Sequence, residues 1–167
     1  MPNTPAGHVV RDEGEVRLVF DRAYERPVDV VWAALTEPEQ VACWFGRWTG
    51  DPASGCVELV MTDEGTETPE QLTIRECTPP ERLAVTVPGP DGAWSVEVRL
   101  VQEGEHTRLR LTHLLVEPYD ASGIGPGWHY YLDRLGAVVT GGPVPTDWED
   151  YVGVPYEVPA ETPGALP

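Results

Sequence analysis

The chain is 167 residues long, enough for one domain that buries roughly 70% of the surface its unfolded form exposes. Against 28 acidic residues stand 11 basic ones, a formal net charge of -17, and every basic residue is an arginine, scattered from Arg11 to Arg134 without a run or stripe. That balance excludes nucleic acid as a partner, because phosphate neutralisation has no local footprint, and the absence of lysine excludes Schiff-base catalysis.

Residues 1–14 hold Pro, Gly and charge without periodicity and read as a flexible N-terminal segment. They carry neither the basic stretch nor the apolar run of a secretory signal, and no segment approaches the ~18 apolar residues of a membrane span. The expectation is a cytoplasmic protein without membrane insertion. Cys43, Cys56 and Cys77 lack metal-ligand or redox spacing and read as reduced thiols.

Residues 15–22 alternate, with Val16, Leu18 and Phe20 on one face, as a half-buried strand does. Pro27 then opens VDVVWAALT, where Val28, Val31, Trp32 and Leu35 recur at helical spacing and Trp32 reads as a structural core residue. Thr36, with Glu39 three residues later, has the pattern of a capping box for a second short helix that ends near Trp44 and Phe45.

From Cys56 to Leu115 the period becomes two, in five segments separated by turn-rich stretches, which predicts consecutive antiparallel strands. Val57, Leu59 and Met61 share a face, as do Leu72 and Ile74, then Leu83, Val85 and Val87, then Trp94, Val96, Val98 and Leu100. The last segment aligns Leu109, Leu111 and His113.

A Gly/Pro-containing loop over 117–127 leads to a helix whose stripe of Trp128, Tyr131, Leu132, Leu135, Val138 and Val139 stops at Gly141-Gly142. His129, about 100° from Trp128 around that helix, is expected at the flank or in solvent. The stripe has an obvious place to bury itself, the concave face of the sheet. An α+β domain over 15–142 follows: a curved antiparallel sheet of about six strands around a long C-terminal helix, with two short helices after the first strand.

The tail over 143–156 holds Trp148, Tyr151 and Tyr156, with Thr146 placed to cap a short helical turn, and it is expected to dock on the body. The alternative for so aromatic a tail is an exposed element for a protein partner. Residues 157–167 again read as flexible.

The string RAYERPVDVVWAALTEPEQVACWFG, through its spacing of Pro27, Val31, Trp32, Ala34, Leu35, Thr36, Pro38 and Trp44, resembles the opening signature of the activator of heat-shock-protein-90 ATPase homologue family. This is a branch of the START-like, or SRPBCC, superfamily. TPPERLAVTV (78–87), THLLVEP (112–118) and GWHYYLDRL (127–135) resemble that family's later landmarks in the right order, so the likeness spans roughly residues 15–140. Where the family often has paired glycines before its second strand, this chain has Gly55-Cys56. The resemblance implies a helix-grip fold, like that of the birch-pollen allergens, and a lipophilic-ligand-binding-like domain. The separate chaperone-binding domain of the eukaryotic co-chaperones would not fit in a chain of this length.

Little else in the sequence points to covalent chemistry. Ser54, Ser95 and Ser122 stand in no nucleophile elbow, no histidine signature accompanies the cysteines, and His106 and His113 fall on opposite faces of one strand. No phosphate-binding glycine loop exists, so no cofactor is expected. His113 continues the interior face of its strand, either as a core histidine satisfied by one hydrogen bond or as a pocket-lining group meeting Tyr131 or Trp128. Trp44, Phe45, Trp94, His113, Trp128 and Tyr131 are together the candidate ligand-binding residues, because a helix laid across a curved sheet leaves concave volume for aromatics to line. The first functional expectation is non-catalytic binding of a small hydrophobic or amphipathic molecule. Two alternatives stay open: a cyclase- or dehydratase-like enzyme using His113 and Tyr131 as acid and base, and a protein-interaction or co-chaperone role, including a homodimer.

Overall fold

Alternating apolar residues in the body of the chain build one antiparallel sheet. The computed structural model describes residues 6–61, 68–89 and 92–160. Within them lie β1 (His8–Asp12), β2 (Glu15–Tyr24), β3 (Gly46–Thr49), β4 (Cys56–Met61), β5 (Glu70–Thr78), β6 (Arg82–Gly89), β7 (Gly92–Glu103) and β8 (His106–Leu115), ordered β1-β2-β8-β7-β6-β5-β4-β3. Register aligns the expected inward faces: Leu18 stands opposite His113, His113 opposite Val96, and Val96 opposite Val85. The expected helix-grip architecture is the observed one, with eight strands among the described residues instead of about six.

The two additional strands are those with the weakest pattern. His8–Asp12 was expected to be loose, yet it pairs with β2 through a two-residue turn in which Glu13 and Gly14 both have positive φ, the hairpin geometry that matches strand twist. Val9 is the inward anchor of that strand, opposite Leu18. Gly46–Thr49 is too short for alternation to register, and Gly46 passes so close to Val60 that a Cβ would lie 2.5 Å from its carbonyl oxygen. Residues 1–5 and 161–167 of the two expected flexible ends lie outside the described residues.

After β2 come α1 (Val28–Thr36), which buries Val31, Ala34 and Leu35, and α2 (Pro38–Trp44). Pro38 disfavours the helical region for the residue before it, so Glu37 is extended (φ -69°, ψ 127°) and the chain turns a corner there. The expected Thr36–Glu39 capping box does not form. Thr36 is the last residue of α1 and its hydroxyl donates to the Trp32 carbonyl at 2.8 Å, leaving Glu37 as the cap residue of α2.

α3 (Ala121–Thr140) starts earlier than its apolar stripe, at Ala121 rather than Trp128. Asp120 caps it by accepting from the Gly123 N–H at 3.0 Å, and Gly141 ends it in the left-handed region. Tertiary contact overrides the poor helix propensity of this Gly/Pro-rich start: the Tyr156 ring lies on Gly125, and the Ser122 hydroxyl accepts from the Tyr156 N–H at 2.8 Å. No helix among the described residues is long and apolar enough to cross a membrane.

The segment after α3 runs back along that helix as a strap. Tyr151, Val154 and Tyr156 are buried, and the Tyr151 hydroxyl donates to Asp133 at 2.8 Å. Its 3₁₀ turn over Trp148–Asp150 is capped by Asp147, not by the expected Thr146. The strap also corrects the expectation for His129, which is 7% exposed and meets the Tyr151 ring edge-on at 4.9 Å. A helical wheel cannot show that a later segment covers the flank on which His129 lies.

Two outcomes follow from this packing. Removing residues 1–13 takes away the β1 hairpin partner and is expected to lower the thermal midpoint by ~4 °C or more. Gly125→Ala would bring a Cβ to 2.6 Å from the Tyr156 ring, displacing the strap at a cost of about 1–3 kcal/mol in denaturant unfolding. Equal stability of either variant and the parent would contradict the corresponding contact.

Candidate functional site

α3 packs on β2 and against α1 and α2, at one side of the concave face. The inward side chains of β4, β5 and β6 instead look across open volume at the corner between α1 and α2. The result is a cavity of about 410 Å³. Its floor includes Val57 and Leu59 from β4, Leu72 and Ile74 from β5, and Leu83, Val85 and Val87 from β6. Trp32, Leu35, Val41, Trp44 and Phe45 face the floor from the two short helices, and Trp128 with Leu132 closes the α3 side. Among the lining side chains Val57, Leu59, Leu109 and Leu111 are buried, whereas Leu72, Ile74, Leu83 and Val85 are only half-buried.

A bulge in β5 shapes the cavity's edge. Ile74 pairs with Val85 but Cys77 pairs with Leu83, so one extra residue of β5 sits between two inward positions. Strict alternation would send Cys77 to the outer face, and the bulge turns it inward. Arg75, within the irregularity, donates to the Thr86 hydroxyl at 2.9 Å and to the Val85 carbonyl at 3.1 Å. Cys77, Glu37, Pro38 and Pro52 are exposed lining residues and mark the mouth.

Polar groups near the cavity are largely consumed by the protein itself. The Trp44 indole N–H donates to the Ala34 carbonyl at 2.8 Å and that of Trp48 to the Thr36 carbonyl at 3.2 Å. The Trp128 N–H donates to His113 Nδ1 at 2.9 Å. Arg134, buried behind α2, spends its guanidinium on the Trp44 carbonyl at 3.0 Å and the Tyr130 hydroxyl at 3.0 Å. Among the described residues no group of His, Cys, Asp and Glu converges as a metal site would require.

Of the six candidate residues, Trp44, Phe45 and Trp128 line the cavity. Trp94, His113 and Tyr131 stand outside its lining and back the wall. His113 is 1% exposed, with the Trp94 ring 4.8 Å away between centroids. Because its Nδ1 accepts a hydrogen bond, the proton of the neutral ring resides on Nε2. Burial pushes its pKa down to about 4, so the ring stays neutral. Tyr131 meets Phe45 edge-on at 5.0 Å, and Phe45 stacks on Trp128 at 6.0 Å. These rings form one continuous block that sets the position of Trp128.

Sequence reasoning missed Trp32, Leu35, Val41 and Trp48 as lining residues, and it read Trp32 as buried core although its side chain is only half-buried. The alternating faces of β5 and β6 were visible. What would have assigned them to the cavity is the knowledge that α3 lies towards the β2 side of the sheet.

Several solved structures share this fold. The crystal structure of CalU16 from Micromonospora echinospora is 28% identical, with a TM-score of 0.67 over 87% of this chain and 88% of that one. The solution structure of a protein from Bordetella parapertussis is 28% identical, with a TM-score of 0.66 over 93% of this chain and 95% of that one. DynU16, a protein of the dynemicin biosynthetic locus, shares the fold at 23% identity and a TM-score of 0.66, over 77% of this chain and 49% of its own. No curated protein matches the chain. The family model described as Activator of Hsp90 ATPase homolog 1-like protein matches residues 25–140, which include α1, α2, β3 to β8 and α3, and the chain belongs to that family.

Proposed function

We propose that this protein binds a small hydrophobic molecule in the cavity between the α1–α2 corner and the β4–β6 floor, without transforming it. The observation that carries the reading is an apolar void of about 410 Å³. That volume lies within the roughly 300–1,000 Å³ of typical small-molecule sites, and a few aromatic rings set its walls. The void adjoins side chains packed to normal burial, so it is a built feature of the fold and not looseness of the whole interior.

Binding is favoured over turnover by the state of the acid–base candidates. His113 already accepts the Trp128 N–H, is held neutral by burial, and stands outside the lining, as does Tyr131. A general acid or base must reach the reacting proton within hydrogen-bond distance or through one water.

An uncharged fluorescent naphthylamine probe should therefore bind and receive energy from the wall tryptophans. Val85→Trp, which places an indole on the cavity floor, should weaken the probe at least tenfold while the thermal midpoint is kept. Unaltered affinity would move the site elsewhere.

His113 also gives stability a defined pH dependence. Its folded pKa of about 4 lies below the ordinary value of 6.5, so the unfolded state takes up the proton first as pH falls. The stability contributed by the neutral ring is complete above pH ~6.5 and is lost towards pH ~4, at up to ~1.4 kcal/mol per pH unit. Urea unfolding of the parent and His113→Gln across this range should show that slope in their difference. A flat difference would mean that the ring is open to solvent.

A further inference from the structure

The distribution of charge around the cavity narrows the class of ligand. Four tryptophans line it, and three of them turn their N–H inward to the protein: Trp44 to Ala34, Trp48 to Thr36 and Trp128 to His113. The Thr36 hydroxyl is likewise engaged, with the Trp32 carbonyl. No arginine or histidine is among the lining residues, and the buried guanidinium of Arg134 is committed to the carbonyls of Trp44 and Pro145 behind α2. Among the described residues, the one carboxylate in the lining belongs to Glu37, exposed at the mouth. Pro38 holds Glu37 there by fixing the corner between α1 and α2, and its carboxylate caps neither helix.

An anionic ligand therefore has no favourable pose. Inside, its charge would be desolvated without a cationic partner; at the mouth, it would face Glu37 on a protein of formal net charge -17. A hydroxyl or amide end can remain in water at the mouth while the hydrocarbon enters, and an ammonium end gains the carboxylate.

We propose that the cavity selects lipophiles whose polar end is uncharged or cationic and rejects fatty carboxylates and related lipid anions. The inference rests on the reading of the cavity as an apolar binding site. It adds Glu37 as the residue that sets the preference.

The test is displacement of the uncharged naphthylamine probe by decanol, decylamine and decanoate, each below its aggregation limit. Salt is held near 0.15 M, where the Debye length of ~8 Å screens distant charges but leaves a contact at the mouth effective. Decanol and decylamine should displace the probe, and decanoate should need about tenfold more. Glu37→Gln should remove the advantage of decylamine over decanol, and Glu37→Arg should bring decanoate level with or ahead of decanol, both with the parent's melting temperature. Decanoate displacing the probe from the parent as well as decanol does would overturn the charge selection while leaving the cavity as a lipophile site. The same selectivity in Glu37→Arg as in the parent would overturn the role of Glu37. Failure of the probe to bind the parent would remove the binding reading itself, and the inference with it.

Discussion

Eight strands spaced ~4.8 Å apart give a sheet roughly 34 Å across, whereas a helix with its side chains is only ~10–12 Å wide. One long helix cannot cover such a surface. α3 occupies the β2 side, and the remaining inward faces must be met by something else or left open. In this chain the connection between β2 and β3 supplies α1 and α2, whose corner stands over β4–β6 without filling the space beneath it. The cavity is thus a consequence of covering a wide sheet with narrow elements, and its position is set by where α3 settles.

What holds α3 in place is a set of polar contacts that leave little for the cavity. The Trp128–His113 hydrogen bond ties the helix to β8, and the neutral state of His113 suits a site from which water is excluded. Arg134 reaches from α3 to the last carbonyls of α2, and the Arg22–Asp133 pair at 2.8 Å joins the helix to β2. Asp133 and Tyr151 also tie the strap to the outer side of the helix. Trp128, His113 and Arg134 are each matched with another part of the frame, so the void beside them is bounded mainly by carbon.

Much of this frame was legible in the sequence, because period-two and helical patterns report which face of an element is buried. The inward faces of β2, β6, β7 and β8 and the stripe of α3 all appear in the residues themselves. Three kinds of feature did not. Short elements such as β1 and β3 present too few residues for a period, and β1 depends on the unusual backbone of Glu13-Gly14. Coverage by distant segments, as of His129 by the strap, is a tertiary fact. Local caps were misread where a proline or an earlier helix competed, as Pro38 and α1 do at Thr36. The site was half visible for the same reason: aromatic residues at inward positions could be found, but separating wall from backing required knowing where α3 lies.

The Arg11 side chain has a wider consequence than its hydrogen bond to the Pro159 carbonyl at 2.7 Å. It belongs to the first strand, while its acceptor lies beyond the strap, so the opening hairpin and the closing segment are joined. Tyr119, over whose ring the same guanidinium sits 5.5 Å from the centroid, adds the start of α3 to that junction. Loosening the hairpin therefore withdraws a clasp from the closing segment, and loosening that segment withdraws one from the hairpin. The two ends of the described fold are thus in contact with each other and with the start of α3.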